Sequence, residues 1–333
     1  MQFKTNKKLA AVLAAVLTMT CAAGAFAADA KQAQHFESQI LSVMPERAKI
    51  NYIPDVVYSQ VPTRGYQNTA LKMDILQPEK DIQKLPAIVY VPGGGFINAN
   101  RALGLQERLH FAEHGYVVAS ITYRVAPTSQ FPAALEDVKA AIRYLRANAD
   151  KFGIDKNRIG IIGGSAGGYL SSFAAVTNDT REFDKGDNLN EDSSVKCAVD
   201  LYGIADVTNI GMDYSPAEQE LHKSAGATEA LWVNGSPVFG GRDGGILADP
   251  KAAAKASPIT YVDDNSAPLL LMHGTADDVV SPGQTDLLFQ AYKKQGLEAE
   301  RYIVPAAKHG GMFWVQQPVL DVITAFFDKY LKD

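Results

Sequence analysis

The run Ile159-Gly160-Ile161-Ile162-Gly163-Gly164-Ser165-Ala166-Gly167 decides the fold. Ile159–Ile162 is a short apolar stretch of the kind buried in a parallel sheet, and Ala166–Val176 continues as a helix. The chain therefore passes from strand to helix through one tight turn centred on Ser165. A serine hydroxyl is a poor nucleophile until it is held clear of the sheet beside a base, which such a turn achieves. Gly163 and Gly167 flank it and permit the close backbone contacts the turn requires. Placed at a helix N-terminus, Ser165 also neighbours free N–H groups able to stabilise an anion. As a dinucleotide loop the segment fails, because no glycine set here fits G-x-G-x-x-G.

Outward from this turn, short β-branched runs alternate with longer amphipathic ones. Strands are expected at Val56–Ser59, Leu71–Leu76, Ala87–Val91, Val117–Tyr123, Ile159–Ile162, Cys197–Tyr202, Leu269–His273 and Arg301–Val304. Phe131, Leu135, Val138, Ile142 and Leu145 recur at steps of four and three, one face of a helix. Further helices are expected at Leu105–His114, Ala166–Val176, Gln284–Gln295 and Val319–Leu331. This alternation predicts an α/β fold, a mostly parallel, doubly wound sheet of about eight strands with helices on both faces. Residues 203–257 break the rhythm with a glycine-rich stretch and the aromatics Tyr214, Trp232 and Phe239. They read as an insertion after the sixth strand, over the carboxyl edge of the sheet where loops carry binding.

Composition narrows the function. The 333 residues are 47% hydrophobic and 21% charged, which excludes collagen-like, low-complexity and largely disordered chains. Two cysteines are too few for a disulfide framework or a cysteine-based zinc module. Lys4, Lys7 and Lys8, the apolar run Leu9–Leu17 and Ala25-Phe26-Ala27 read as a secretory signal peptide over residues 1–27. Residues 28–333 then form one exported domain, periplasmic or extracellular in a bacterium, with no membrane span in the mature chain. Loss of those three lysines takes the formal charge from −5 to −8, which argues against a nucleic-acid partner. Cys197 is left alone, so no intramolecular disulfide is expected.

The remaining chemistry follows from what Ser165 needs. Gly93-Gly94-Gly95 follows the buried strand Ala87–Val91, and bare backbone there can approach an oxygen closely. The N–H groups of Gly94 and Gly95, with that of Ala166 after the serine, are the expected oxyanion donors. A Walker-type loop is excluded, because Phe96-Ile97-Asn98 follows instead of Gly-Lys-Ser. With the chain order serine, acid, histidine, His309 in Lys308-His309-Gly310-Gly311 is the candidate base. Asp277, leaving the seventh strand in His273-Gly274-Thr275-Ala276-Asp277-Asp278, is the candidate acid, with its neighbour Asp278 as the alternative. His273 reads as structural. His110-Phe111-Ala112-Glu113-His114 matches an inverted zinc-protease pattern, but Gly115 ends that helix at once, so no metal is expected. The acidic stretch Asp184–Asn188 lacks calcium-loop spacing and reads as solvated. No cofactor is called for.

Taken together, Gly93–Gly95, the turn Gly163–Gly167, the loop His273–Val280 and the turn at His309 resemble the α/β-hydrolase superfamily over roughly Tyr52 to Lys332. Tyr123-Arg124 and Phe131-Pro132-Ala133-Ala134 are similar to the secreted acetyl-xylan and feruloyl esterase-like group. Hormone-sensitive-lipase-type esterases carry His before the three glycines, where this chain has Pro92. The resemblance implies a serine carboxylesterase acting through Ser165, His309 and Asp277 on a small-molecule or oligosaccharide ester, with acetyl or feruloyl esters of plant polysaccharide fragments first. The rival readings are a serine peptidase of the prolyl-oligopeptidase type and a non-catalytic binding protein on the same fold.

Overall fold

A computed structural model describes residues 39–79 and 84–332. The reading of residues 1–27 as a signal peptide lies outside the described residues. Contacts divide the chain into two units, Met1–Arg47 and Ala48–Asp333. In the first, the described residues 39–47 are exposed and form neither helix nor strand.

The second unit is built on eight strands: β1 (Ile50–Thr63), β2 (Tyr66–Pro78), β3 (Leu85–Val91), β4 (Val117–Ile121), β5 (Ile154–Gly164), β6 (Ala198–Leu201), β7 (Leu269–Gly274) and β8 (Ala299–Val304). They form one sheet in the order β1-β2-β4-β3-β5-β6-β7-β8. β2 runs antiparallel to both β1 and β4, and every other pairing is parallel. Side chains alternate across the pleat and so divide the core in two. Val89, Val91, Ile161 and Leu271 face one layer, and Ile88, Tyr90, Ile162 and Leu270 the other.

The helices that cover these layers are α1 (Leu105–Glu113), α2 (Ala133–Ala147), α3 (Ala149–Phe152), α4 (Ala166–Val176), α5 (Pro216–His222), α6 (Thr228–Asn234), α7 (Pro250–Lys255), α8 (Gly283–Lys294) and α9 (Gln317–Leu331). α2, α4 and α8 pack on the first layer, whereas α1 and α9 pack on the second. In α2 the expected face is the buried one: Leu135, Val138, Ile142 and Leu145 are fully enclosed. Phe131 lies before its first residue and packs only partly against the core. No described helix is long and apolar enough to cross a membrane.

Two expectations are corrected. The stretch Asp184–Asn188 is not wholly solvated: Asp184 is buried and pairs with Arg143 at 2.6 Å and Arg181 at 2.7 Å. The Arg143 pair pins an otherwise irregular loop to α2, because a buried carboxylate requires a partner. Within residues 203–257, Trp232 is a core residue rather than a binding aromatic. It is 1% exposed and stacks on Phe96 with ring centroids 5.3 Å apart. Its indole donates to the Tyr169 hydroxyl at 3.2 Å, which satisfies its one polar atom.

The fold fixes the site through strand register. In the parallel pair β3–β5, Val91 stands opposite Gly163. The loop that opens with Gly93 and the turn that carries Ser165 therefore leave the sheet side by side. Chain direction across the sheet reverses around β3, and ligand crevices of open α/β sheets form at such a point, beyond the strands' carboxyl ends.

Candidate active site

Ser165 holds φ 58° and ψ −124°, a conformation that costs a non-glycine residue roughly 1–3 kcal/mol. Its surroundings enforce it. The Ser165 N–H donates to the Leu201 carbonyl at 2.9 Å, and its carbonyl accepts from Tyr169 N–H at 2.9 Å. The flanking glycines are sterically required: a Cβ on Gly163 would lie 2.3 Å from the Gly167 carbonyl carbon, and one on Gly167 would lie 2.0 Å from the Val91 oxygen.

His309 is brought to this turn by the loop after β8. Its Nε2 lies 2.8 Å from Ser165 Oγ, and its Nδ1 lies 2.9 Å from Asp277 Oδ2. Two contacts steady the loop: Trp314 donates to the Lys308 carbonyl at 3.1 Å, and the Tyr202 ring packs edge-on against the imidazole at 4.9 Å. The acid loop is locked to the histidine loop as well. Ala276 N–H donates to the Ala307 carbonyl at 3.0 Å, and Ala306 N–H donates to Thr275 Oγ1 at 2.9 Å.

Asp277 is buried and accepts from every side. Oδ1 receives the N–H groups of Val279 and Val280, each at 3.0 Å, and Oδ2 receives His273 Nε2 at 3.0 Å as well as His309. Burial alone raises its carboxyl, but hydrogen bonds from His273 and His309 and the attraction of His309 outweigh that and hold it well below the usual carboxylate range. An ionised Asp277 is an acceptor only, so Nδ1 of His309 carries the proton and Nε2 is free to accept from Ser165. Asp278 points elsewhere: its side chain is 63% exposed and pairs with Lys308 at 3.3 Å. His273 is fully buried and also reaches the Val280 carbonyl at 2.9 Å, so it braces the acid loop.

Gly94 and Gly95 lie with Ser165 on the wall of one cavity of about 590 Å³. A Cβ on Gly94 would fall 2.2 Å from the Asn98 carbonyl oxygen, because Ile97 and Asn98 fold back to donate to the Gly94 carbonyl. Ala166 opens α4, so its N–H has no acceptor within its own helix. Among the described residues, none of these three N–H groups is engaged by another backbone carbonyl.

Residues missed in the sequence complete the cavity wall: Tyr90 at the end of β3, Tyr202 just beyond β6, and Glu107 in the first turn of α1. Position at the carboxyl end of a strand was a usable signal for the two tyrosines, whereas Glu107 reads simply as an acid suiting a helix dipole. No residue from 203–257 lines the cavity. That stretch instead braces the acid loop from behind. The Tyr214 hydroxyl donates to the Asp277 carbonyl at 3.1 Å, and Asp213 accepts from Ser281 and from Gly283 N–H. In the histidine pair of α1, His110 Nε2 meets Thr324 Oγ1 at 3.0 Å and His114 Nδ1 meets the His110 carbonyl at 2.7 Å. Among the described residues no cluster of three metal-ligating side chains occurs.

The sheet order and the four loops meeting at its carboxyl edge define the α/β-hydrolase fold. Within that class the chain belongs to the BD-FAE family, whose model matches residues 73–292. The matched span holds Ser165 and Asp277 and stops short of His309. The chain is similar to Esterase LipC of Mycobacterium tuberculosis, 33% identical over 68% of this chain and 53% of that protein. It thus spans about half the length of the curated relatives it matches. Among solved structures it is similar to a truncated carbohydrate esterase from gut microbiota, with 28% identity and a TM-score of 0.73 over 88% of this chain and all of that one. A bifunctional GH43-CE protein of Bacteroides eggerthii gives 28% identity and a TM-score of 0.71 over 84% of this chain and 35% of that protein.

Proposed function

We propose that this protein is an exported serine carboxylesterase that transfers an acyl group to water through Ser165, His309 and Asp277. The observation that carries the reading is the 2.8 Å approach of His309 Nε2 to Ser165 Oγ, with Asp277 on the other ring nitrogen. His309 takes the hydroxyl proton as Ser165 Oγ attacks the ester carbonyl. The carbonyl oxygen becomes an oxyanion received by the N–H groups of Gly94, Gly95 and Ala166. Collapse of that intermediate breaks the bond to the alcohol, which leaves with the proton from His309. A water then gives its proton to His309, attacks the acyl-serine, and releases the carboxylic acid and free Ser165.

The proposed substrates are acetyl or feruloyl esters of plant polysaccharide fragments. Likeness to proteins titled carbohydrate esterase supports the sugar side of that choice, and an exported enzyme would meet such esters. The test is Ser165→Ala with p-nitrophenyl acetate and with acetylated and feruloylated xylan oligomers. The variant is expected to lose turnover by a factor on the order of 10⁶ and to resist a fluorophosphonate probe that labels the wild type. Retained turnover in Ser165→Ala would reject the assignment. Activity confined to long-chain glycerides would reject the substrate class.

A further inference from the structure

The cavity beside Ser165 is also lined by groups that the acyl-transfer steps leave unused. Glu107 sits in the first turn of α1 with its carboxyl half-buried, and the Tyr90 hydroxyl stands beside it. Residue 104, a glycine with φ +66°, packs directly against both groups. A Cβ there would fall 2.0 Å from the Tyr90 hydroxyl and 2.8 Å from Glu107 Oε2. The Tyr202 ring closes the same wall near the nucleophile, and its hydroxyl would lie 2.6 Å from a Cβ on Gly164.

Burial raises the Glu107 carboxyl, and the partners that lower it again are its own backbone N–H, the charge of Arg108 and the Tyr90 hydroxyl. Among the described residues no cation reaches ion-pair distance of it. The Arg108 guanidinium turns away, donating to the Ala102 carbonyl at 3.0 Å and lying 5.8 Å from the Tyr90 ring centroid. A carboxylate with this few donors retains acceptor sites directed at the cavity, and desolvating it without a donor is costly.

A carboxylate flanked by two tyrosines suits one kind of ligand well. Its paired oxygens accept from adjacent hydroxyls, and the Tyr90 hydroxyl beside it offers a further partner. An alkyl chain would leave the carboxylate desolvated and unpaired, and an anionic ligand would be repelled. The cavity's 590 Å³ also far exceeds what an acetyl group fills and lies in the usual range for small-ligand pockets.

We infer that Glu107, Tyr90 and Tyr202 form a polyol subsite that binds the sugar alcohol of the ester, with Glu107 accepting hydrogen bonds from neighbouring ring hydroxyls. This rests on the esterase reading and gives it a source of specificity. A site built to bond a hydroxyl discriminates strongly against ligands that lack one.

The experiment compares two esters of the same acyl group, mono-acetylated methyl xyloside and p-nitrophenyl acetate, in wild type, Glu107→Gln and Tyr90→Phe. The quantity read is the ratio of kcat/KM on the sugar ester to that on the aryl ester. In Glu107→Gln this ratio is expected to fall about 10- to 100-fold, mainly through a higher KM for the sugar ester. Tyr90→Phe, which removes one oxygen and no volume, is expected to lower it severalfold. Free methyl xyloside should likewise inhibit the wild type more tightly than Glu107→Gln. An equal fall on both esters would make Glu107 a support for α1 and overturn the subsite, as would an unchanged ratio. A wild type inert on both esters would overturn the esterase reading first and the subsite with it.

Discussion

Nε2 of His309 stands 2.8 Å from Oγ of Ser165, although the two residues are 144 positions apart in the chain. The approach depends on the ends of two adjacent strand pairs, β3–β5 and β7–β8, with β6 between them. β3 carries the Gly93–Gly95 loop, β5 the serine turn, β7 the acid loop and β8 the histidine loop, and all four leave the sheet at the same edge. Register then does the alignment: Val91 opposite Gly163 and Gly274 opposite Val304 start each pair of loops level. The Tyr202 ring packs edge-on against the imidazole at 4.9 Å, and Tyr202 is itself held at φ 46°.

The two neighbouring acids separate sharply under mutation. Asp277→Asn keeps the volume but can donate toward Nδ1 of His309, which favours the wrong tautomer. It is expected to lower kcat by a factor of about 10⁴. Asp278→Asn, on an exposed side chain, is expected to stay within about twofold of wild type. The folded-state Asp277 carboxyl lies below its unfolded value, so its stabilisation is in place above about pH 4 and is lost as pH falls further. Steady-state kinetics of both variants, with acid unfolding of Asp277→Asn against wild type, checks all three points.

Strand positions and the candidate triad were legible in the sequence because both depend on local pattern. Apolar runs mark the parallel strands, and the glycines around Ser165 mark a turn that no larger residue permits. The long hairpin β1–β2 was seen only in part, at Val56–Ser59 and Leu71–Leu76, because much of it is solvent-facing and lacks a continuous apolar run. Choosing between Asp277 and Asp278 needs the direction of two adjacent side chains, which spacing does not encode. The cavity wall was illegible for a similar reason: Tyr90, Glu107 and Tyr202 meet only after β3, α1 and β6 are docked. Trp232 misled because an aromatic in an irregular stretch serves a core as readily as a binding face.

The glycines of the site divide into those fixed by contact and those fixed by backbone angle. Gly167→Ala would place a methyl 2.0 Å from the Val91 carbonyl oxygen, forcing α4 away from β3. It is expected to cost about 3 kcal/mol or more, or to prevent folding. At Gly95, φ is +58° but no heavy atom lies within 4 Å of the added Cβ. Gly95→Ala is therefore expected to cost only the left-handed backbone penalty, roughly 1–2 kcal/mol. Thermal melts of the two variants should rank them in that order, and a reversed order would refute the contact argument.

Arg124 secures the start of α2 through two ion pairs. Arg124 donates to Asp137 from its Nε and from a terminal nitrogen, the latter at 2.7 Å, and also reaches Glu136 at 3.0 Å. The Asp137 side chain is 2% exposed and that of Arg124 13%. Asp137→Ala leaves a largely buried guanidinium with only Glu136 and the Ala133 carbonyl as acceptors and frees the Arg124 N–H that Asp137 also accepts at 2.7 Å. A loss of about 3–5 kcal/mol is expected from denaturant titration. A loss below about 1 kcal/mol would mean that Glu136 alone compensates the charge.

Asp200 provides a pH signature independent of catalysis. It lies fully enclosed on β6, accepting from Ser172 Oγ at 2.6 Å and from Gly203 N–H at 2.7 Å. Burial raises its carboxyl to about 6, against the opposing pull of the Ser172 hydrogen bond and of His273. A carboxyl raised on folding favours the native state while protonated, and that advantage is lost as pH climbs from the unfolded value near 4 through about 6. Asp200→Asn removes the titration while retaining a side chain of the same shape. Relative to wild type, the variant should therefore gain stability between pH 4 and pH 8, on the order of 3 kcal/mol. Denaturant unfolding of both proteins at the two pH values measures the gain, and a difference that stays constant with pH would show that Asp200 is ionised in the folded protein at both.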